Sequence, residues 1–144
     1  MSSSNGNGRT HHNSSSGLLA TGRDLEFEPV SIAVVGLGYW GPNLARNLQE
    51  CPHARLAALC DFSDERLDRI GRRYPAARCY QSVEALLDDP EIEAVAIATP
   101  VSTHHRIAAA ALNAGRHVFV EKPLAASSTE ATNWPRSPSS KGSC

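Results

Sequence analysis

Six residues at the head of the apolar part of the chain, Gly36-Leu37-Gly38-Tyr39-Trp40-Gly41, carry three glycines in the spacing G-x-G-x-x-G. Glycines so placed let a backbone loop cradle a pyrophosphate. Gly36 permits a tight turn, Gly38 puts no side chain between backbone and phosphate, and Gly41 lets helix and strand pack closely, with the phosphates meeting the helix N-terminus. The pattern carries weight only where a strand precedes it, a helix follows it, and an acid closes the next strand roughly twenty residues on. Asp61 stands there, directly after Leu59-Cys60. Its carboxylate can accept hydrogen bonds from a ribose 2′-hydroxyl and repels a 2′-phosphate, which favours NAD over NADP. Arg66 and Arg69 close by keep NADP open. The plainer alternative is a cluster of turn glycines and a surface aspartate. Strand, loop, helix, strand and acid in that order favour the dinucleotide site.

Two further segments could do chemistry: Thr99-Pro100-Val101-Ser102-Thr103-His104-His105 and Glu121-Lys122-Pro123. Both follow apolar runs that read as strands, and ligands gather at the carboxyl ends of strands in open α/β sheets. Alone, the first is a turn and a helix cap, with histidines that more often face solvent than catalyse. Alone, Lys122 reads as an ordinary exposed lysine. Placed at a strand end, its ammonium could lie near the reacting end of a cofactor, with Pro123 fixing the turn through a cis bond.

The elements that must position these residues alternate along the chain. Residues 30–35, 55–60, 77–80, 94–98 and 117–121 read as strands, three of them near-continuous apolar runs. Helical spacing covers 42–50, with Pro42 in the first turn, then a helix after the cap Ser63 through about Arg73. A short helix follows Ser82 and ends near Asp89-Pro90, and another spans 103–113 with Gly115 just past its end. Repeated β-α-β with apolar strands means a parallel sheet covered on both faces, so a doubly wound, Rossmann-like α/β fold of about five strands is expected.

Composition bounds the rest. The chain has 144 residues, with 14 Lys and Arg against 15 Asp and Glu, a formal charge of −1. That balance gives no footprint for nucleic acid or an anionic membrane surface. No apolar run approaches spanning length, and the four cysteines form no C-x-x-C pair. A reducing, cytoplasmic setting is expected, with no metal site. Residues 1–22 contain 13 Ser, Gly or Asn, so residues 1–29 read as a disordered extension, and His11-His12 within it as solvated. Residues 30–124 are the folded domain, and residues 125–144, with six Ser, two Thr and two Pro, a disordered tail.

Taken together, the run from Val35 through Gly41-Pro42-Asn43 to Arg46, then Asp61, Ala98-Thr99-Pro100 with Thr103-His104-His105, and Glu121-Lys122-Pro123-Leu124 resemble the N-terminal domain of the Gfo/Idh/MocA oxidoreductases. The motifs come in family order between about residues 31 and 125. The resemblance implies NAD(P)-dependent hydride transfer at a ring carbon bearing a hydroxyl or ketone. The Tyr39-Trp40-Gly41-Pro42-Asn43 form of the loop is similar to that of sugar-nucleotide and cyclitol dehydrogenases, so a carbohydrate-like substrate is implied for the full-length parent. By the same resemblance, Gly36, Gly38, Gly41 and Asp61 hold the adenosine and pyrophosphate side, and Thr99, Pro100 and His104 line the nicotinamide side. Lys122, in the Glu121-Lys122-Pro123 motif, would contact the nicotinamide ribose and the substrate oxygen and help move the proton. Glu121 belongs to the binding set through that motif. Tyr39 and Trp40 either pack over the cofactor or simply pack.

Family members go on to complete the nucleotide domain and then add a larger α/β substrate domain with a second catalytic group. Nothing after Leu124 matches those parts, so the nucleotide domain reads as incomplete and the chain as inactive by itself. Ser127-Ser128-Thr129-Glu130-Ala131 looks like the start of the next family helix, which Thr132-Asn133-Trp134-Pro135 breaks. Codons straddling these residues can encode Asp-Glu-Leu-Ala and a further amphipathic run. Residues 125–144 are therefore expected to be either disordered or the product of a frameshift near Ala131. An open sheet edge after the fifth strand would leave stability marginal. The rival reading is a non-catalytic dinucleotide-binding or redox-sensing module, which would not need Thr99, His104 or Lys122. A short-chain dehydrogenase would need a Tyr-x-x-x-Lys pair, which the chain lacks.

Overall fold

The structure, a computed structural model, describes residues 27–123 and 128–133. Along the chain it runs β1 (Val30–Val35), α1 (Gly41–Glu50), β2 (Ala54–Cys60), α2 (Asp64–Gly71), β3 (Arg78–Tyr80), α3 (Val83–Leu87), β4 (Ala94–Ile97), α4 (Val101–Asn113), β5 (His117–Val120) and α5 (Ser128–Thr132). The five strands form one parallel sheet in the order β3-β2-β1-β4-β5. This is the expected doubly wound arrangement, with the direction of winding reversing between β1 and β4.

Strand alternation builds two cores. Val34, Leu56 and Leu59 join Ala45 of α1 with Leu67 and Ile70 of α2 on one face. Ala33, Val35, Val95 and Ile97 meet Leu86 and Leu87 of α3 and Ile107, Ala108 and Ala111 of α4 on the other. The register between β1 and β2 shifts after Ile32, which pairs with Leu56 while Ala33 pairs with Ala58. Ala57 is the extra residue of a bulge, so Leu56 and Leu59, three apart, share a face.

Local signals set the helix ends. Ser63 Oγ accepts from Arg66 N at 3.4 Å and Ser82 Oγ from Ala85 N at 3.1 Å, as capping predicts. Helix α4 starts at Val101, two residues before the expected start, because the Pro100 carbonyl accepts from Thr103 N at 2.9 Å. It ends at Asn113, and Gly115, whose φ is +76°, closes the turn beyond it; Gly115 N donates to Leu112 O and Arg116 N to Ala111 O. Strand β5 closes one sheet edge, with Phe119 exposed on it.

Within the tail, the structure places one short helix. Helix α5 spans Ser128–Thr132, the Thr132 hydroxyl donates to Ser128 O, and His105 Nε2 lies 3.2 Å from Asn133 O. A local turn and a docking contact on α4 thus hold that short stretch. The disorder and frameshift expectations for 1–26, 124–127 and 134–144 lie outside the described residues. No helix among the described residues is long and apolar enough to cross a membrane.

A polar network ties β3 to the loop before β4. Asp89 accepts from Tyr80 Oη at 2.7 Å, from Glu91 N at 3.0 Å and from the Arg78 guanidinium. Arg116 Nη2 donates to the Leu87 and Asp89 carbonyls at 3.1 Å each. The Tyr80 hydroxyl, then the Glu91 amide, hold the Asp89 carboxyl below its ordinary 3.8. Its stabilising contribution is therefore complete above that value and is lost as pH falls through the lower folded one. Thermal melts down an acid series should show this loss in the parent chain and a flatter profile in Asp89→Asn. Parallel profiles for the two would remove Asp89 as the source.

Candidate functional site

At the point where the winding reverses, a cleft of about 570 Å³ opens at the carboxyl ends of the strands. That volume falls in the range of small-molecule and cofactor sites. Gly36, Gly38, Tyr39, Trp40, Asp61, Thr99 and Pro100 line it, so chemistry-bearing residues more than sixty positions apart come together there.

The glycine loop leaves β1 through a tight turn. Gly36 has φ +93°, and a Cβ there would meet Thr99 N and Thr99 Cγ2 at 2.8 Å. A Cβ on Gly41 would fall 1.9 Å from the Gly36 carbonyl oxygen, so the first turn of α1 lies directly on the loop. At Gly38 a Cβ would meet nothing within 4 Å. The amides of Gly38, Tyr39 and Trp40 donate to no acceptor among the described residues. Open space, free N–H groups and the N-terminus of a ten-residue helix are what an anionic pyrophosphate requires.

Asp61 is buried, its side chain 2% exposed. One carboxylate oxygen accepts from Leu37 N at 2.7 Å and the other from Ser63 N at 2.9 Å. The acid therefore fastens the glycine loop to the start of α2, a role its position in the sequence does not reveal. Each oxygen keeps a lone pair, so a ribose hydroxyl can still donate to it. Arg66 stands 3.6 Å from the same carboxylate, with its guanidinium 5.9 Å above the Phe62 ring. Cys60 also lines the cleft. Burial, then the charges of Asp61 and Glu84, push its thiol up to about 12, so it stays protonated and is no nucleophile.

On the other side, Thr103 Oγ1 lies 2.7 Å from both Thr99 Oγ1 and the Pro100 carbonyl. One hydroxyl donates to the carbonyl and accepts from the other hydroxyl, holding Thr99 at the cleft wall. Gly41, His104, Glu121 and Lys122 lie outside the lining. His104 is buried at 2% exposure within the first turns of α4. Glu121 N donates to Ile97 O at 3.1 Å, continuing the β4–β5 ladder. Lys122 is exposed, and the Lys122–Pro123 peptide is cis. Tyr39 and Trp40 meet edge to face, centroids 5.0 Å apart, and stay largely exposed at the cleft. Phe62, Gln81, Ser82, Glu84, Arg106 and Ile107 also line the cleft without belonging to the motifs that point to it, and Thr103 joins them from the His104 segment. Phe62 adjoins the acid, and Thr103 and Ile107 share the helix face that carries His104's turn, but only packing brings them to one wall.

A model of an oxidoreductase family with an NAD-binding Rossmann fold, Gfo/Idh/MocA, matches residues 30–142. The chain belongs to that family. Among its Gfo/Idh/MocA relatives, scyllo-inositol 2-dehydrogenase (NAD(+)) of Bacillus subtilis is 37% identical over 102 residues, covering 70% of this chain and 30% of the relative. Myo-inositol 2-dehydrogenase of Thermotoga maritima is 34% identical over 93 residues, covering 65% and 28%. The solved structure of GenD2 from gentamicin A biosynthesis, in complex with NAD, superposes with a TM-score of 0.70 at 34% identity, covering 74% of this chain and 30% of that one. The chain thus spans about 30% of the length of the proteins it matches.

Proposed function

We propose that this chain is the nucleotide-binding part of an NAD-dependent dehydrogenase that acts, in its full-length parent, on a hydroxyl-bearing carbon of a sugar, sugar nucleotide or cyclitol. The observation that carries the reading is the meeting of an open Gly38, free loop amides and the Asp61 carboxylate in one cleft at the switch point. The nicotinamide, when bound, supplies or takes the hydride. The chain's own residues do the rest. Gly38, Tyr39 and Trp40 amides bind the pyrophosphate, and Asp61 orients the adenosine ribose. Thr99 and Pro100 wall the nicotinamide side. Lys122, two residues past β5, presents an ammonium to the substrate oxygen and helps move its proton. The inositol dehydrogenases among the relatives support the substrate class.

Titration of the chain with NADH, read as quenching of tryptophan emission from Trp40 at the cleft, should saturate. NADPH should bind at least roughly tenfold more weakly, because a 2′-phosphate meets the Asp61 carboxylate. Absence of any saturable change would sink the proposal. Equal affinities would leave the fold reading intact but remove Asp61 as the selector.

A further inference from the structure

His104 is a buried titratable side chain that neither lines the cleft nor faces solvent. Its Nε2 lies 2.7 Å from the Thr99 carbonyl and its Nδ1 3.0 Å from the Pro123 carbonyl. Thr99 follows β4 at the cleft wall, where its backbone abuts Gly36 of the glycine loop. Pro123 follows Lys122 in the turn after β5. A single imidazole therefore stands between two segments that, among the described residues, no ladder hydrogen bond connects past Glu121 N to Ile97 O. Each nitrogen faces an oxygen, and whichever carries the N–H donates to its carbonyl, a donor that a hydrocarbon of equal volume would lack.

We propose that His104 is a positioning residue that holds the Lys122 turn against the Thr99 wall, so that the nicotinamide half of the bound dinucleotide meets Lys122 in register. The proposal rests on the NAD reading of the cleft. It assigns His104 no contact with cofactor or substrate; His104 acts through Thr99 and Lys122. The adenosine and pyrophosphate half, held by the glycine loop and Asp61, should be indifferent to it.

The test compares NADH with ADP-ribose, which lacks the nicotinamide, on the parent chain, His104→Leu, His104→Gln and Lys122→Ala. His104→Leu should leave ADP-ribose affinity unchanged and reduce the advantage of NADH over it by roughly three- to tenfold, the worth of a lost orienting hydrogen bond. His104→Gln keeps N–H donors of similar reach and should restore part of that advantage. In a Lys122→Ala background, His104→Leu should add little further loss, because both act on one contact. An unchanged ratio in His104→Leu would overturn the proposal. So would equal loss of both ligands, which marks a packing residue, or a full additional loss in the Lys122→Ala background. Failure of the parent chain to bind either ligand would sink the NAD reading, and this inference with it.

Discussion

Gly41→Ala should cost the chain both its dinucleotide affinity and a large part of its stability. The added Cβ would sit 1.9 Å from the Gly36 carbonyl oxygen and 2.9 Å from the Gly36 carbonyl carbon. Both atoms are backbone, in a turn whose Gly36 has φ +93° and presses on Thr99, so neither can yield without moving β1 or β4. Overpacking against backbone in a closed site costs on the order of 3 kcal/mol. Denaturant melts should register that loss, and NADH affinity should fall by roughly a hundredfold as the loop loses its shape. Gly38→Ala is the informative partner. Its Cβ would meet nothing within 4 Å, so the melt should stay within about 0.5 kcal/mol of the parent, as at an ordinary surface site. NADH affinity should nonetheless drop, because the methyl occupies the space reserved for pyrophosphate. Parent-like melting of Gly41→Ala would show that helix α1 does not sit on the loop. Parent-like NADH binding by Gly38→Ala would show that the phosphates do not approach there.

Replacing Asp61 should have the next largest effect, and Asn is the sharper substitution. The two carboxylate oxygens accept from separate backbone amides, Leu37 N and Ser63 N, in a site with almost no solvent access. An isosteric carboxamide offers one oxygen and one NH₂, so one backbone N–H must face another donor. Hydrogen bonds to a charged group contribute roughly 1.5–3 kcal/mol each, and a buried donor left unpaired costs a similar amount. A loss of about 3 kcal/mol is therefore expected in Asp61→Asn, with at least as much in Asp61→Ala. The same change removes the negative charge facing a 2′-phosphate, so the preference for NADH over NADPH should shrink toward unity. Stability read by melting and preference read by paired titrations should move together. A variant that keeps full stability would mean the acid does not anchor the loop. One that keeps the parent preference would mean Asp61 does not choose the cofactor.

Much of this site is legible in local sequence because the interactions that specify it are local. Ser63 and Ser82 cap helices by accepting from amides three residues on, and a backbone that must turn with positive φ accepts glycine at 36 and 115. Short apolar runs such as residues 94–97, bounded by turn residues, read as strands covered on both faces, so the doubly wound sheet follows from their alternation with helices. The order of glycine loop, acid and Lys122-Pro123 turn carries the family, and the family match extends it over residues 30–142.

What the chain does not reveal lies between elements distant along it. Nothing near Asp61 says that one of its oxygens accepts from Leu37 N, 24 residues earlier. The two histidines of the Thr103-His104-His105 run look alike on paper. The structure buries one between two carbonyls and turns the other toward α5, according to which side of α4 faces the strand ends. Likewise the bulge at Ala57 decides which leucines of β2 share a face, although the spacing of the run is ambiguous. The sequence by itself determined the fold class, the dinucleotide chemistry and the family, because period, turn and cap are set by neighbours within a few residues. Only the tertiary structure decided that Asp61 anchors the loop and that His104 stands behind the wall, because burial and partnership depend on which elements the sheet order brings together.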